Sequence, residues 1–396
     1  MIDTLAKIFL KPGKEQSLKR FHPWVFSGAI GKAEGKPEEG DLVNVYSANG
    51  EFLATGHCQV GSIAVRLFSF EPVEIEYVFW KTKIENAWNV RKALGLTDSS
   101  ETTVFRLVHA EGDGMPGLII DFYNGTAVMQ MHTVGMYLVR EMLVKALREV
   151  LGDKLKAVYD KSEKSLPFKA GVESKDGYLF GENNDTEVLE NGLRFKVDWL
   201  EGQKTGFFID QRENRHLVQR YSAGRDVLNM FCYTGGFSFY AMKGGAQLVH
   251  SVDSSAKAIE LTNKNVELNF PEDKRHEAFA ADAFEFMRDI KDNYDLIILD
   301  PPAFAKHRDA VHQALQAYKR INTRAFEQIR SGGILFTFSC SQVVSKEKFR
   351  EAVFSAAAIS GRNVRILHQL TQPADHPVNI YHPEGEYLKG LVLYVE

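Results

Sequence analysis

The chemistry of this chain starts from a cysteine and an aspartate forty positions apart. The run Phe336-Thr337-Phe338-Ser339 is apolar and β-prone, and it delivers Cys340 to the end of a strand. A second apolar run, Leu296-Ile297-Ile298-Leu299, delivers Asp300, followed by Pro301 and Pro302. In a parallel sheet both strand ends open on one crevice, where open α/β sheets take ligands. A thiol beside a carboxylate in that crevice suits covalent chemistry on a small planar target rather than hydride transfer. A free thiol has a pKa of about 8.5 and must be activated by its surroundings. Ser339 and Ser341 are small and polar, as an exposed strand end requires. The competing reading of Cys340 is a buried small hydrophobe. The two prolines stiffen the acid's loop, each holding φ near about −65°.

A second set of residues reads as a nucleotide crevice. A strand ending near Asn229 runs into Phe231-Cys232-Tyr233-Thr234-Gly235-Gly236, a strand-to-helix turn where glycine lets a ligand approach the backbone. The next strand ends on Asp253, about twenty residues on, where an acid accepts from ribose hydroxyls. Its competing role is a helix N-cap, since Ser254 and Ser255 follow. Asp282, after the third strand, could accept from an adenine amino group or cap a helix. The fingerprint G-x-G-x-x-G is absent: Tyr233 and Thr234 stand where a pyrophosphate needs bare glycine backbone. A cofactor with ribose and adenine but no pyrophosphate fits, and S-adenosylmethionine is such a cofactor. Cys232 reads as packing in the turn and Cys58 as structural.

These residues need a scaffold. From Gly224 the chain alternates strands (Asp226–Asn229, Leu248–Val252, Glu277–Ala280, Tyr294–Leu299, Gly333–Phe338) with helices (Ser238–Lys243, Ala256–Asn269, Ala283–Lys291, Ala310–Arg330), which predicts an α/β, doubly wound, mostly parallel sheet. Leu388–Val395 is expected to close it as an edge strand. Upstream, Ala6–Leu10, Leu42–Tyr46, Glu51–His57 and Ile63–Leu67 are short strands at close spacing, as in a small β-barrel. Between the two lies an α+β module: a helix from Ile75 to Gly95, strands at Phe105–His109, Leu118–Tyr123 and Ala127–Met131, a helix from Val134 to Val150 and a strand at Ala157–Asp160. Pro72 and the polar stretch Gly181–Thr186 divide the chain into 1–72, 73–185 and 186–396.

The chain of 396 residues is 44% hydrophobic and 25% charged, an ordinary globular balance. No apolar run approaches the roughly 18 residues of a membrane span, and residues 1–20 carry no signal-peptide core, so a cytoplasmic protein without membrane attachment is expected. Three scattered cysteines fit neither a disulfide framework nor a metal site. The net charge of −4 speaks against a surface coated with phosphate contacts. Lys7, Lys11, Lys14, Lys19 and Arg20 nevertheless cluster against Glu15 alone.

Taken together, the segments 229–238 (Asn-Met-Phe-Cys-Tyr-Thr-Gly-Gly-Phe-Ser), Asp253, Asp282, Asp300-Pro-Pro-Ala-Phe304 and Ser339-Cys-Ser341 resemble class I S-adenosylmethionine-dependent methyltransferases. More narrowly, the chain resembles the bacterial family that makes 5-methylcytosine in 23S ribosomal RNA. Lys204-Thr-Gly-Phe207, Asp210-Gln-Arg212, Asp375-His-Pro377 and Pro383–Leu391 match further blocks of that family, over nearly the whole chain. The resemblance implies a PUA domain, a middle module and a Rossmann-like catalytic domain. It implies Cys340 as nucleophile and Asp300 as the group that binds the pyrimidine edge. It places Lys204, Thr205, Gly206, Phe207, Asp210, Gln211, Arg212, Asn229, Phe231, Gly235, Asp253, Asp282, Asp300 and Pro301 around S-adenosylmethionine. Some relatives of this fold carry a second cysteine after the acid–proline motif. Ala303-Phe304 stands there instead, implying a single-cysteine mechanism.

The implied partner is ribosomal RNA, presenting a single-stranded or flipped cytosine. Lys7, Lys11, Lys14, Lys19 and Arg20, with Trp24, could meet its phosphates and bases, as could Lys306, His307 and Arg308 beside the acid loop. Phe26 reads as barrel core more than Trp24 does. Arg215 reads as an ion-pair partner of the sheet and His376 as structural. The middle module could pair two chains. Two other functions fit the residues: a methyltransferase of this fold acting on another rRNA base, a base amino group or a small molecule, and a non-catalytic RNA-binding assembly factor.

Overall fold

The computed structural model describes residues 5–167 and 171–396; Met1–Thr4, the start of the segment read for a signal peptide, lie outside them. The chain forms two compact units. One comprises the described residues up to Leu189 with Val197–Ile209 and Ala374–Gly385; the other comprises Glu190–Lys196, Asp210–Pro373 and Glu386–Glu396.

The first unit holds two sheets with separate cores. Six strands follow the spatial order Trp24–Phe26, Ile63–Ser69, Phe52–Cys58, Leu42–Tyr46, Ala6–Leu10, Ile30–Glu34. The two outermost strands are consecutive in the chain, joined only by Ser27–Ala29, so the sheet must roll towards closure. Ile8, Leu10, Val25, Val43, Val45 and Val65 fill its interior. The strands 24–26 and 30–34 escaped the sequence reading because they are short and largely exposed. A five-stranded sheet follows, built from Val104–His109, Leu118–Tyr123, Thr126–Met131, Ala157–Asp160 and Gly177–Phe180. The helices Tyr77–Ala93 and Arg140–Leu151 pack with it around Trp80, Ile84, Leu143 and Leu147. The helix expected from Val134 to Val150 is interrupted at Val139, whose ψ of 5° leaves the helical region.

The second unit is built on seven strands: β1 (Asp226–Met230), β2 (Leu248–Asp253), β3 (His276–Ala280), β4 (Leu296–Leu299), β5 (Gly333–Ser339), β6 (Val364–Leu370) and β7 (Lys389–Val395). Their spatial order is β3-β2-β1-β4-β5-β7-β6. The pairs β1–β2, β2–β3, β1–β4 and β4–β5 are parallel, while β7 runs antiparallel to both neighbours. The order reverses between β1 and β4, which places the ligand crevice at their carboxyl ends. β4 is wholly apolar because both faces are covered, and every one of its residues is buried; in β1 the four residues after Asp226 are buried, Asn229 among them.

The last strand is not the edge strand the sequence suggested. Lys389–Val395 is nearly all buried and sits between β5 and β6. The edge is Val364–Leu370, whose exposed Arg365, Leu367 and Gln369 give no continuous apolar run to read. A charged, exposed edge discourages pairing with another chain. The helix expected over 283–291 is one short turn, Ala283–Phe286, although Met287 and Ile290 still bury.

Candidate active site

The β1 side of the crevice is tightly braced. The turn after β1 holds Phe231 and Tyr233 at φ 58° and 48°, left-handed values that cost a non-glycine residue on the order of 1–3 kcal/mol each. Such strain persists where the surroundings over-determine it. Asp253, at the end of β2, accepts from the Tyr233 backbone N–H at 3.0 Å. Thr262 Oγ1 donates to the Tyr233 carbonyl at 2.9 Å. Asp253 also accepts from the Ser255 N–H, and Ser255 itself caps the helix Ala256–Asn269. The cap role considered for Asp253 therefore belongs to Ser255.

Gly235 has φ 82°, and a Cβ there would stand 2.7 Å from both Phe239 and Thr262. This glycine serves the turn and its packing. Cys232 is buried, and burial together with Asp253 pushes its thiol far up. Asn229 is fully buried; its Nδ2 donates to Ser238 Oγ at 2.9 Å, and its Oδ1 has no hydrogen-bond partner among the described residues. The chain of contacts continues from Ser238 to Ser251 at 2.6 Å and on to His276 at 2.8 Å. Below the turn, Arg215 grips Glu190 through two contacts of 2.7 Å, both groups buried. This is the ion pair expected of Arg215.

The β4–β5 side is more open. Asp300 follows β4 and is partly exposed; Gln211 Nε2 donates to its Oδ1 at 3.0 Å. Gln211 is buried, and its own carbonyl accepts from Asn214 at 2.6 Å, so the amide is held in one orientation. Asp210, beside it, accepts from the Tyr387 hydroxyl at 2.7 Å, and Arg212 is buried next to Glu213. Cys340 follows β5 and is partly exposed, its Sγ 4.0 Å from the Pro301 carbonyl oxygen. The adjacent strands β4 and β5 thus bring the thiol and the acid's loop together.

Sequence reading missed two neighbours of that thiol. The Tyr318 hydroxyl lies 2.9 Å from both Ser339 Oγ and Ser341 Oγ, clamping the residues on either side of Cys340. Lys389, buried, donates from Nζ at 2.7 Å to the carbonyls of Ser341 and Val344. Burial pushes this ammonium down to about 8, while the Cys340 thiol pulls it up. Tyr318 stands in the middle of a helix and Lys389 at the start of a strand, and only the fold carries them to the cysteine.

The remaining predicted residues divide. Asp282 is exposed and caps its short helix through Oδ1, accepting from Phe284 and Glu285 N–H at 2.9 and 3.1 Å. Lys204, Thr205, Gly206 and Phe207 fall in the first unit. There Thr205 is buried, donating to Asp121 at 2.5 Å and accepting from the Tyr123 hydroxyl at 2.9 Å. Lys204 lies over the Phe208 ring at 4.7 Å.

Among the basic residues, Lys11, Lys14, Lys19, Arg20 and Lys306 are exposed, and Lys7 is partly so. Lys19 pairs with Glu51 at 2.7 Å and Lys11 donates to the Gly28 carbonyl at 2.9 Å. Trp24 is half-buried, donating to Glu111 at 2.9 Å and packing on the His382 ring at 4.3 Å. Phe26, read as barrel core, is 47% exposed. Val25 takes the inward position between them, as strand alternation requires. His376 is buried against Asp375 at 3.1 Å.

The crevice fits an adenosine-type cofactor on its own geometry. Each Asp253 oxygen accepts one backbone bond and keeps a further lone pair for a ribose hydroxyl. The buried, orphaned Asn229 Oδ1 is an acceptor waiting for a donor at the end of β1.

Comparison with known proteins agrees. A family model for S-adenosylmethionine-dependent methyltransferases matches residues 106–379, and one for PUA-like domains matches residues 8–70. Among curated relatives, "Ribosomal RNA large subunit methyltransferase I" of Aeromonas hydrophila is 38% identical over 396 residues, covering 98% of this chain and 99% of that protein. The protein of the same name from Vibrio vulnificus is 39% identical over 398 residues, with the same coverage. The fold recurs in a solved chain from Streptococcus mutans assigned as a SAM-dependent methyltransferase, 24% identical at TM-score 0.84, covering 98% of this chain and 100% of that one. It recurs also in a solved methyltransferase-type chain complexed with SAH, at TM-score 0.85, 24% identity and the same coverage. The chain belongs to the family of S-adenosylmethionine-dependent methyltransferases that includes these ribosomal RNA large subunit enzymes.

Proposed function

We propose that the protein methylates carbon 5 of a cytosine in large-subunit ribosomal RNA, with Cys340 as covalent nucleophile. The observation that carries this reading is the partly exposed Cys340 thiol beside the Asp300-Pro301 loop, at the ends of adjacent parallel strands. The names of the full-length relatives support the RNA class.

Carbon 5 of cytosine is a poor nucleophile. The Cys340 thiolate adds to carbon 6, forming a sulfur–carbon bond, and the carbon 5–carbon 6 π pair moves into the ring. Asp300, oriented by Gln211, accepts from the cytosine amino group or from a protonated ring nitrogen, holding the base and stabilising the adduct once that nitrogen carries the proton that offsets the added electron pair. Lys204, Thr205, Gly206, Phe207, Asp210, Gln211, Arg212, Asn229, Phe231, Gly235, Asp253, Asp282, Asp300 and Pro301 are the residues the family resemblance assigns to the cofactor, with Asp253 on the ribose. When bound, S-adenosylmethionine supplies an electrophilic methyl group to the now enamine-like carbon 5. Loss of the carbon 5 proton to a base then re-forms the ring double bond, and the carbon 6–sulfur pair returns to Cys340. The addition splits one hard step into easier ones. The segment 1–72, with its basic residues Lys7, Lys11, Lys14, Lys19 and Arg20, holds the RNA by phosphate contacts.

Transfer of radiolabelled methyl to unmodified large-subunit rRNA, followed by nucleoside separation, tests this reading. Label in 5-methylcytosine for wild type and none for Cys340→Ala is expected. Label in another nucleoside, or a fully active variant, contradicts it.

A further inference from the structure

The ammonium of Lys389 is an anomaly in the core. It is 5% exposed, and among the described residues the only acid that acts on it is the thiol of Cys340. A buried ammonium without a counter-charge is costly. Its partners are the carbonyl oxygens of Ser341 and Val344, both at 2.7 Å, which belong to the turn immediately after the cysteine. An ammonium has three N–H donors, and these carbonyls take two. The strand register sets Lys389 directly across from Ser339, the residue before Cys340. A turn of this kind is already closed by its own bond, Val344 N–H to the Ser341 carbonyl at 3.1 Å, and asks for no cation.

We propose that Lys389 is a positioning residue for the Cys340 thiolate: it fixes the turn Ser341–Val344 and supplies the positive charge against which the thiolate forms. This rests on reading Cys340 as the nucleophile. The same charge serves twice, once when the thiol ionises and again when the carbon 6–sulfur bond breaks and its electron pair returns to sulfur. The other titratable groups facing the pair are few. Tyr318 is kept neutral, burial pushing its hydroxyl up. Lys346 opposes Lys389 but is paired with Glu386 at 2.5 Å. Asp300 stands one residue before the carbonyl that Cys340 touches.

The test is the pH dependence of iodoacetamide alkylation at Cys340, read by mass spectrometry on its own peptide so that Cys58 and Cys232 do not contribute. It needs neither RNA nor cofactor, so its result stands apart from the identity of the methylated atom. Lys389→Met is expected to move the alkylation half-point about one pH unit higher, roughly a tenfold loss of thiolate at neutral pH. Lys389→Arg, which keeps the charge, should stay near wild type. A Lys389→Met profile that superimposes on wild type, with circular dichroism intact, overturns the proposal. Should Lys389→Met not fold, the reciprocal measurement decides. In Cys340→Ser, the NMR signal of Lys389 in isotope-labelled, reductively methylated protein should titrate at lower pH than in wild type; an unchanged titration refutes the pairing.

Discussion

Cys232 and Cys340 both stand at the carboxyl ends of strands in one sheet, separated only by β4, and their surroundings are opposite. Cys232 is buried under a strained turn, and burial together with the acid Asp253 pushes its thiol away from ionisation. Cys340 is partly open, flanked by two serines held from behind by Tyr318, with a buried lysine in reach. A strand end supplies position; the charge and water around it decide whether a thiol reacts. The same contrast runs through the two halves of the crevice. The β1 half closes Arg215 on Glu190 and Asn229 Nδ2 on Ser238, and leaves only acceptors, Asp253 and the Asn229 Oδ1, for a ligand. The β4–β5 half leaves Asp300 and Cys340 partly exposed.

The sharpest way to break this comparison is to exchange the roles of the two thiols. Cys340→Ala should lower methyl transfer by about 10⁴-fold or more, as loss of a nucleophile does. Cys232→Ala should leave the rate within a few-fold and cost only about 1 kcal/mol in urea unfolding, the scale of a small core truncation. Equal losses in the two variants would end the distinction. Asp300→Asn should cost about 10²–10⁴ in kcat with the fold intact, since the change removes charge and keeps shape. Gln211→Ala should cost up to about 10², through a misplaced Asp300. Steady-state kinetics at saturating cofactor separates these two.

In the β1 half the expected losses are of stability. Arg215→Met leaves Glu190 buried without its partner and should cost about 3–5 kcal/mol by denaturant titration. His276 sharpens the pH side of the contrast. Burial pushes it down to about 4 from its ordinary 6.5, so it is neutral in the fold. The unfolded chain binds its proton first. The stability it contributes is therefore present above pH 6.5 and lost as pH falls towards 4, by at most about 3 kcal/mol. His276→Gln should flatten the stability curve over that window, and an unchanged curve would show that other groups dominate it.

The strand ends that carry Asp253, Asp300 and Cys340 were legible because apolar runs announce strands. What stayed hidden depends on contacts across long stretches of chain. Gln211 reaches Asp300 over 89 positions and Lys389 reaches Ser341 over 48, and no local pattern records either. The edge strand Val364–Leu370 was missed because one side faces solvent, and Lys389–Val395 was misplaced to the edge because an apolar run does not say which neighbours cover it. Asp253 and Ser255 could not be told apart as caps until the helix start was fixed.

The central claim is the covalent adduct at Cys340, and the most direct measurement traps it. Large-subunit rRNA containing 5-fluorocytosine cannot release the carbon 5 substituent as a proton, so the final elimination stalls. Incubation with the enzyme and S-adenosylmethionine should give a denaturation-resistant protein–RNA complex, with the cross-link mapped to the Cys340 peptide and absent in Cys340→Ala. No complex from an enzyme that still methylates unmodified rRNA, or a cross-link at another residue, would contradict the account.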